Sequence, residues 1–400
     1  MTMYKFYVDR IGESVNGNKP YPNLATHHAQ PFTKEWRKFS VNRPFSEPVM
    51  LFEYMEYWNI DYKLVDLNDT DNDTFYPIAL SFFDFSVDWF KLFPDEVLSR
   101  VQNYQLRVLF FYSEGDNPNR IDEHLTDQCW RNNVPREQVL FVSANSAATN
   151  IPYFAHFVDD ELLYNFRNRK IKPVEYHESY RGKKFTALSR VHKSWRANTM
   201  ARIWEPGLHT QGYFSYNTDI STDTPEDNPI EVDNFDNLRE ITELFLSNAP
   251  YNADNLTSSQ HNDHTLSVID HFNNSYLNIV LETHMDVDQS NGVFLTEKVF
   301  KAIKNAQPFI IFGAAGSLQQ LRDIGYRVFD SVIDNSYDQE PNTSRRWEQA
   351  INLTLNLINL NNKQLYDFYR ACREDLIHNQ QLFLSDKSSR ISKLFEDLDD

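Results

Sequence analysis

Four hundred residues, 41% of them hydrophobic, exceed what one core comfortably holds and suit two packed domains. A formal net charge of −18 argues against general binding to nucleic acid or anionic membranes, because a phosphate-binding surface needs clustered cations. Two cysteines, Cys129 and Cys372, neither in a CxxC, leave no disulfide framework and no zinc module. The longest apolar stretches, such as Arg107–Tyr112 and Pro308–Phe312, are strand-sized, far short of the roughly 18 to 20 residues of a membrane span. The N-terminus lacks the extended apolar core and cleavage site of a signal peptide, so a reducing, cytoplasmic setting is expected.

In chain order, strand-like runs at Tyr4–Val8, Val49–Phe52, Arg107–Tyr112 and Gln138–Ser143 alternate with longer polar or helical stretches, a spacing that predicts α/β structure. Asn68–Thr74 reads as a polar surface loop, and the aromatics at Phe82–Phe85, Trp89 and Phe90 as core. After Pro173 the pattern restarts, with a strand at Lys184–Leu188 and a helix over Ser194–Trp204 whose buried face takes Trp195, Thr199, Ala201 and Ile203. Asn217–Asp236 is acidic and carries two prolines, which predicts an exposed loop before a helix at Asn237–Ser247. Leu277–Leu281 is strand-like, and Thr296 is placed to cap a helix reaching Asn305 with Val299, Phe300 and Ile303 inward. Pro308–Phe312 predicts a buried strand, Gly313–Ser317 a tight turn, Leu318–Ile324 a helix, and Ser344–Asn379 further helix before an acidic tail. The expected division is 1–170 for an N-terminal acceptor-side domain and 171–400 for a C-terminal donor-binding domain with C-terminal helices.

Charge is distributed unevenly. Between Arg167 and Arg202 stand eleven Lys or Arg against two acids, Glu175 and Glu178. Such an island suggests a local anion site, or a solvated cationic surface around a domain linker. In an α/β protein a diphosphate binds outside the carboxyl ends of strands, against helix N-termini and fixed cations. Two segments have that layout. Arg190, Lys193 and Arg196 follow a strand and enter a helix, and Glu297 and Lys298 occupy a first helical turn. A carboxylate there can accept two ribose hydroxyls while the neighbouring ammonium meets a phosphate; surface ion pairing is the alternative.

At these residues the chain resembles the alpha-fucosyltransferases and related GT-B enzymes. Leu277-Asn-Ile-Val-Leu-Glu-Thr283 followed by Gly292-Val-Phe-Leu-Thr-Glu-Lys298 looks like that family's donor signature, an apolar strand ending in an acid before an aromatic-x-Thr-Glu-Lys helix start. Phe185-Thr-Ala-Leu-Ser-Arg190 through Trp195-Arg196-Ala-Asn198 resembles its earlier strand-to-helix segment. The resemblance implies two Rossmann-like domains facing each other across a cleft. Glu297 then holds the ribose, Lys298 and Arg196 the diphosphate, and Glu282 lies nearby; Arg190, Lys193 and Thr296 complete the expected donor set. Phe294 stands where the family commonly has Tyr, which leaves the base and sugar open between a favoured GDP-sugar and a UDP-sugar. On a shorter N-terminal resemblance, Phe110–Asn119, Asp116 takes the place of the general base and Glu114 is its rival.

The implied reaction is inverting transfer of a sugar, fucose-like or other, to the hydroxyl of a glycan or another acceptor, with protein cations in place of a metal. Asp286-Val-Asp288 forms a DxD, but the same spacing recurs elsewhere in this Asp-rich chain. His261, His264 and His271 are read as a polar helix face rather than a metal cluster. Two other functions are weighed: sugar transfer to hydroxylated DNA bases, as some phage enzymes perform, which net acidity disfavours, and a non-catalytic nucleotide-sugar or glycan-binding protein.

Overall fold

The computed structural model describes residues 3–7, 55, 58–80, 83, 85–112, 114–146, 151–155, 158, 172–218, 228–253, 268–286 and 292–399. The chain divides into two compact units, the first made of 1–159, 289–292 and 386–400 and the second of 160–288 and 293–385. Residues 386–400 belong to the first unit, whereas a single division after residue 170 assigns them to the second half. Among the described residues no helix is long and apolar enough to cross a membrane.

The first unit is built on a parallel sheet of β1 (Tyr4–Tyr7), β2 (Tyr62–Val65), β3 (Thr74–Leu80), β4 (Arg107–Tyr112) and β5 (Val139–Ser143), in the order β2-β1-β3-β4-β5. Helices α1 (Asp95–Gln102) and α2 (Pro118–Arg131) follow β3 and β4. The β4 run Val108–Tyr112 is wholly buried, as a strand of a covered parallel sheet should be. Phe83, Trp89 and Phe90 join that core, as their aromatic clustering predicted. Phe82 and the run Val49–Phe52 lie outside the described residues.

Two strands of this sheet escape sequence reading. Short β2 is half-exposed and carries little pattern, while β3 contains Pro77, normally a mark against an interior strand. The register of β3 against β1 covers Lys5–Thr74 and Phe6–Phe75, so Pro77 lies beyond it, paired with Leu109 of β4. The segment expected to be a polar loop, Asn68–Thr74, instead tucks Thr70 and Thr74 inward; Thr74, fully buried, opens β3.

The second unit holds β6 (Lys183–Ser189), β7 (Tyr213–Tyr216), β8 (Ser275–Leu281) and β9 (Phe309–Phe312), all parallel, in the order β7-β6-β8-β9. Between β6 and β7 runs α3 (Ser194–Trp204). Between β7 and β8 come α4 (Leu238–Ser247) and the short α5 (Ile269–Asn273). Then α6 (Glu297–Lys304) leads to β9 and α7 (Ser317–Asp323) leaves it. The predicted C-terminal helical run resolves into α8 (Thr343–Ile358), α9 (Asn362–Ala371) and α10 (Arg373–Leu384). In place of an acidic tail, α11 (Ser388–Asp399) belongs to the first unit and stacks Phe395 on Tyr4 at 4.2 Å.

Both sheets place their first strand between the second and the third. In an open parallel sheet of this order the strand order reverses at the first and third strands, and their carboxyl ends are where such sheets bind ligands. In the second unit those strands are β6 and β8.

Candidate functional site

Strand β6 ends at Ser189 and β8 at Leu281, and the residues that follow them converge. Arg196, in the first turn of α3, is 4% exposed, and its guanidinium donates to the Val191 carbonyl at 3.2 Å and to the Glu282 carbonyl. The Glu282 carboxylate, 1% exposed, accepts the Thr296 hydroxyl and the Thr296 N–H at 3.3 Å. Thr296 in turn caps α6, accepting from the Lys298 N–H at 3.4 Å. The Lys298 ammonium stands 3.1 Å from Glu297 Oε1, 3.1 Å from Thr296 Oγ1 and 3.5 Å from Thr283 Oγ1. Burial pushes the Glu282 carboxyl above the usual carboxylate range, with the Lys298 ammonium and the Thr296 hydroxyl pulling the other way.

The tertiary structure thus joins two segments that sequence places about a hundred residues apart. It also separates their duties. Arg196 is enclosed and spent on two backbone carbonyls, so it braces the loops after β6 and β8 rather than presenting its whole guanidinium to a ligand. The cations nearer solvent are Lys298, whose side chain is 28% exposed, and the half-buried Arg190 and Lys193. Phe294 is buried, its ring 6.2 Å from that of His284.

Helix N-termini are distinguished in the same way. At α7 the Asp338 carboxylate, 2% exposed, accepts from the N–H groups of Leu318 at 2.9 Å and Gln319 at 3.1 Å, so an internal anion already occupies that turn. At α3 the N-cap is Lys193, which supplies no side-chain acceptor and adds a positive charge. The Gly313–Ser317 turn is therefore held by an internal carboxylate, whereas no side-chain acceptor caps the start of α3. Tyr337, beside Asp338, is buried and receives the Ile311 N–H at 3.1 Å.

The basic island is not one surface. Arg181, Lys183 and Lys184 stand at the amino end of β6, where Arg181 is 3% exposed and bonds the Phe272 and Ser275 carbonyls and the Tyr369 hydroxyl. Arg190, Lys193 and Arg196 stand at the carboxyl end instead, the seven-residue strand separating the two groups; Arg167, Arg169 and Lys170 lie outside the described residues. A cavity beside Lys183, His209, Tyr213 and Tyr251 lies at the amino ends of β6 and β7, the edge at which such sheets do not bind ligands.

Sequence reading overlooked Arg346. Arg346, 1% exposed on α8, donates to the carbonyls of Gly313 at 3.1 Å, Glu340 at 2.7 Å, Pro341 at 3.3 Å and Met285, holding the loops after β8 and β9 together. A signal existed: Arg346, Ala350, Thr354 and Ile358 share one helical stripe, and an arginine in a buried stripe needs acceptors. His271 is 3% exposed and stacks on Tyr213 at 4.1 Å, while His261, His264 and Asp288 lie outside the described residues. Ile230, 2% exposed, departs from the expected open loop at Asn217–Asp236.

In the first unit, β4 delivers Glu114 and Asp116 to the carboxyl edge of its sheet. Glu114 is half-buried and Asp116 exposed. Asn117 caps α2, accepting from Asn119 N at 3.0 Å and Arg120 N at 3.4 Å, and Pro118 takes the first helical position, where its missing N–H costs nothing. The Tyr112 hydroxyl donates to Asp116 Oδ2.

No family model, no curated protein and no solved structure matches this chain.

Proposed function

We propose that the chain is an inverting nucleotide-sugar-dependent glycosyltransferase of GT-B organisation, its donor diphosphate bound by the second unit. The observation that carries this reading is the meeting of Arg196, Glu282, Thr296, Glu297 and Lys298 at the carboxyl ends of β6 and β8, where a doubly wound sheet binds nucleotides. Lys298, Lys193 and Arg190 neutralise the diphosphate at the start of α3, with Arg196 holding the loops beneath them. Glu297 accepts the ribose hydroxyls, and Glu282 fixes Thr296 and so the direction of the α6 first turn. A GDP-sugar is the favoured donor, a UDP-sugar the rival, and the acceptor is a hydroxyl of a glycan or similar molecule.

In the reaction the acceptor O–H proton passes to Asp116, the acceptor oxygen bonds to the anomeric carbon from the face opposite the diphosphate, and the anomeric carbon–oxygen bond breaks with its electron pair leaving on the diphosphate. Fixed cations meet that developing charge without a metal. A thermal-shift panel of GDP-, UDP-, ADP- and CMP-sugars, followed by calorimetry and by donor hydrolysis without acceptor, tests the reading. Stabilisation by one nucleoside diphosphate sugar and release of its nucleotide are expected. Binding without release would leave a nucleotide-sugar-binding protein, and no binding at all would overturn the site.

A further inference from the structure

We propose that Tyr112 is a positioning residue for Asp116, holding one carboxylate oxygen so that the other meets the acceptor hydroxyl; this rests on the reading of Asp116 as the general base. Tyr112 is the last residue of β4 and 1% exposed, its ring packed in the core of the first unit near Phe141. Its hydroxyl therefore has a place set by the sheet. Asp116 stands four residues on, in an exposed turn, and the phenol donates to its Oδ2, while among the described residues Oδ1 has no protein partner.

The turn itself is held from a second side. Asn145, 2% exposed just beyond β5, donates through Nδ2 to the Gly115 carbonyl at 2.9 Å, and Asn117 begins α2 on the other flank. An exposed aspartate ordinarily samples several rotamers. Here one oxygen is pinned from the core, so the second is offered in a narrow range of directions, which is what in-line attack on an anomeric carbon requires of a base. Burial, then the facing Asp116 carboxylate, pushes the Tyr112 phenol well above its ordinary value, so it remains a donor throughout the working pH range.

The test is a double-mutant cycle read on nucleotide release from GDP-fucose, with water as acceptor, in wild type, Tyr112→Phe, Asp116→Asn and the double variant. Tyr112→Phe keeps the buried ring, and thermal melting checks the fold. Turnover in Tyr112→Phe should fall by about 10-fold with the donor KM unchanged, Asp116→Asn should fall by roughly 10²-fold, and the double variant should be no worse than Asp116→Asn. Asp116→Glu, which keeps basicity and displaces the carboxylate by a methylene, should lose turnover comparably and serves if Tyr112→Phe folds poorly.

Wild-type turnover in Tyr112→Phe or in Asp116→Glu, or losses that simply add in the double variant, would overturn the positioning role while Asp116 stands as the base. Wild-type turnover in Asp116→Asn would remove Asp116 as the base and this inference with it, while no nucleotide release by the wild type from GDP-fucose and from the UDP-, ADP- and CMP-sugars would remove the functional reading as well.

Discussion

The guanidinium of Arg196 donates to the backbone carbonyl of Glu282, so the first turn of α3 and the loop after β8 are tied at one point, eighty-six residues apart in the chain. The Glu282 side chain continues the tie to Thr296 and the start of α6. Three segments thus take their places from two buried residues.

That tie has a stability consequence. Glu282→Ala leaves the Thr296 N–H and hydroxyl without their buried acceptor and should cost about 1–3 kcal/mol in urea denaturation. Glu282→Gln keeps an acceptor and should lose much less. Because burial raises the Glu282 carboxyl in the folded state, its stabilising contribution is complete below the unfolded value and declines as pH rises from there through the folded one. The Gln variant should lack that decline. An Ala variant as stable as wild type would show that the tie is dispensable.

Lys298, whose side chain is 28% exposed, is one of the cations that the proposed function sets against the donor diphosphate. Calorimetry with GDP should show Lys298→Ala weakened by about 2–4 kcal/mol, the scale of losing a charge-assisted contact. Unchanged affinity would remove Lys298 from the site.

Turnover should persist in excess chelator, since the proposed leaving-group stabilisers are protein cations. Activity abolished by chelator and restored by manganese would assign a role to Asp286 and its neighbours.

Of the two carboxylates after β4, Asp116 carries the tyrosine bond and the greater exposure. Replacing it with Asn should lower transfer by roughly 10²-fold or more with donor affinity nearly unchanged. Glu114→Gln should retain most activity. A dead Glu114→Gln beside an active Asp116→Asn would reverse the roles.

Arg346 holds four backbone carbonyls from inside the second unit, and burial draws its guanidinium below its ordinary value. Arg346→Met fills similar space without a donor and should destabilise the chain by about 2–4 kcal/mol in denaturant melts. It should also weaken nucleotide binding, because the loop carrying Met285 begins at Glu282. Wild-type stability would mean those carbonyls find other donors.

Sequence by itself determined the elements whose patterns are local. The apolar runs of β4, β8 and β9 admit few readings but buried parallel strands, Thr296 announces α6, and the α3 helix follows from its apolar residues, although the structure buries nearly the whole of it. The shared layout of the Arg190–Arg196 and Glu297–Lys298 segments was also legible, because each follows a strand and enters a helix. Tertiary structure decided what depends on strand order and on contacts between distant segments. It brought β6 beside β8, spent Arg196 on carbonyls, closed α7 with Asp338, and split the cationic island along the length of β6. A cation's charge is written in the sequence, but whether its hydrogen bonds go to a neighbouring loop or to solvent depends on which chain segments the sheet sets beside it.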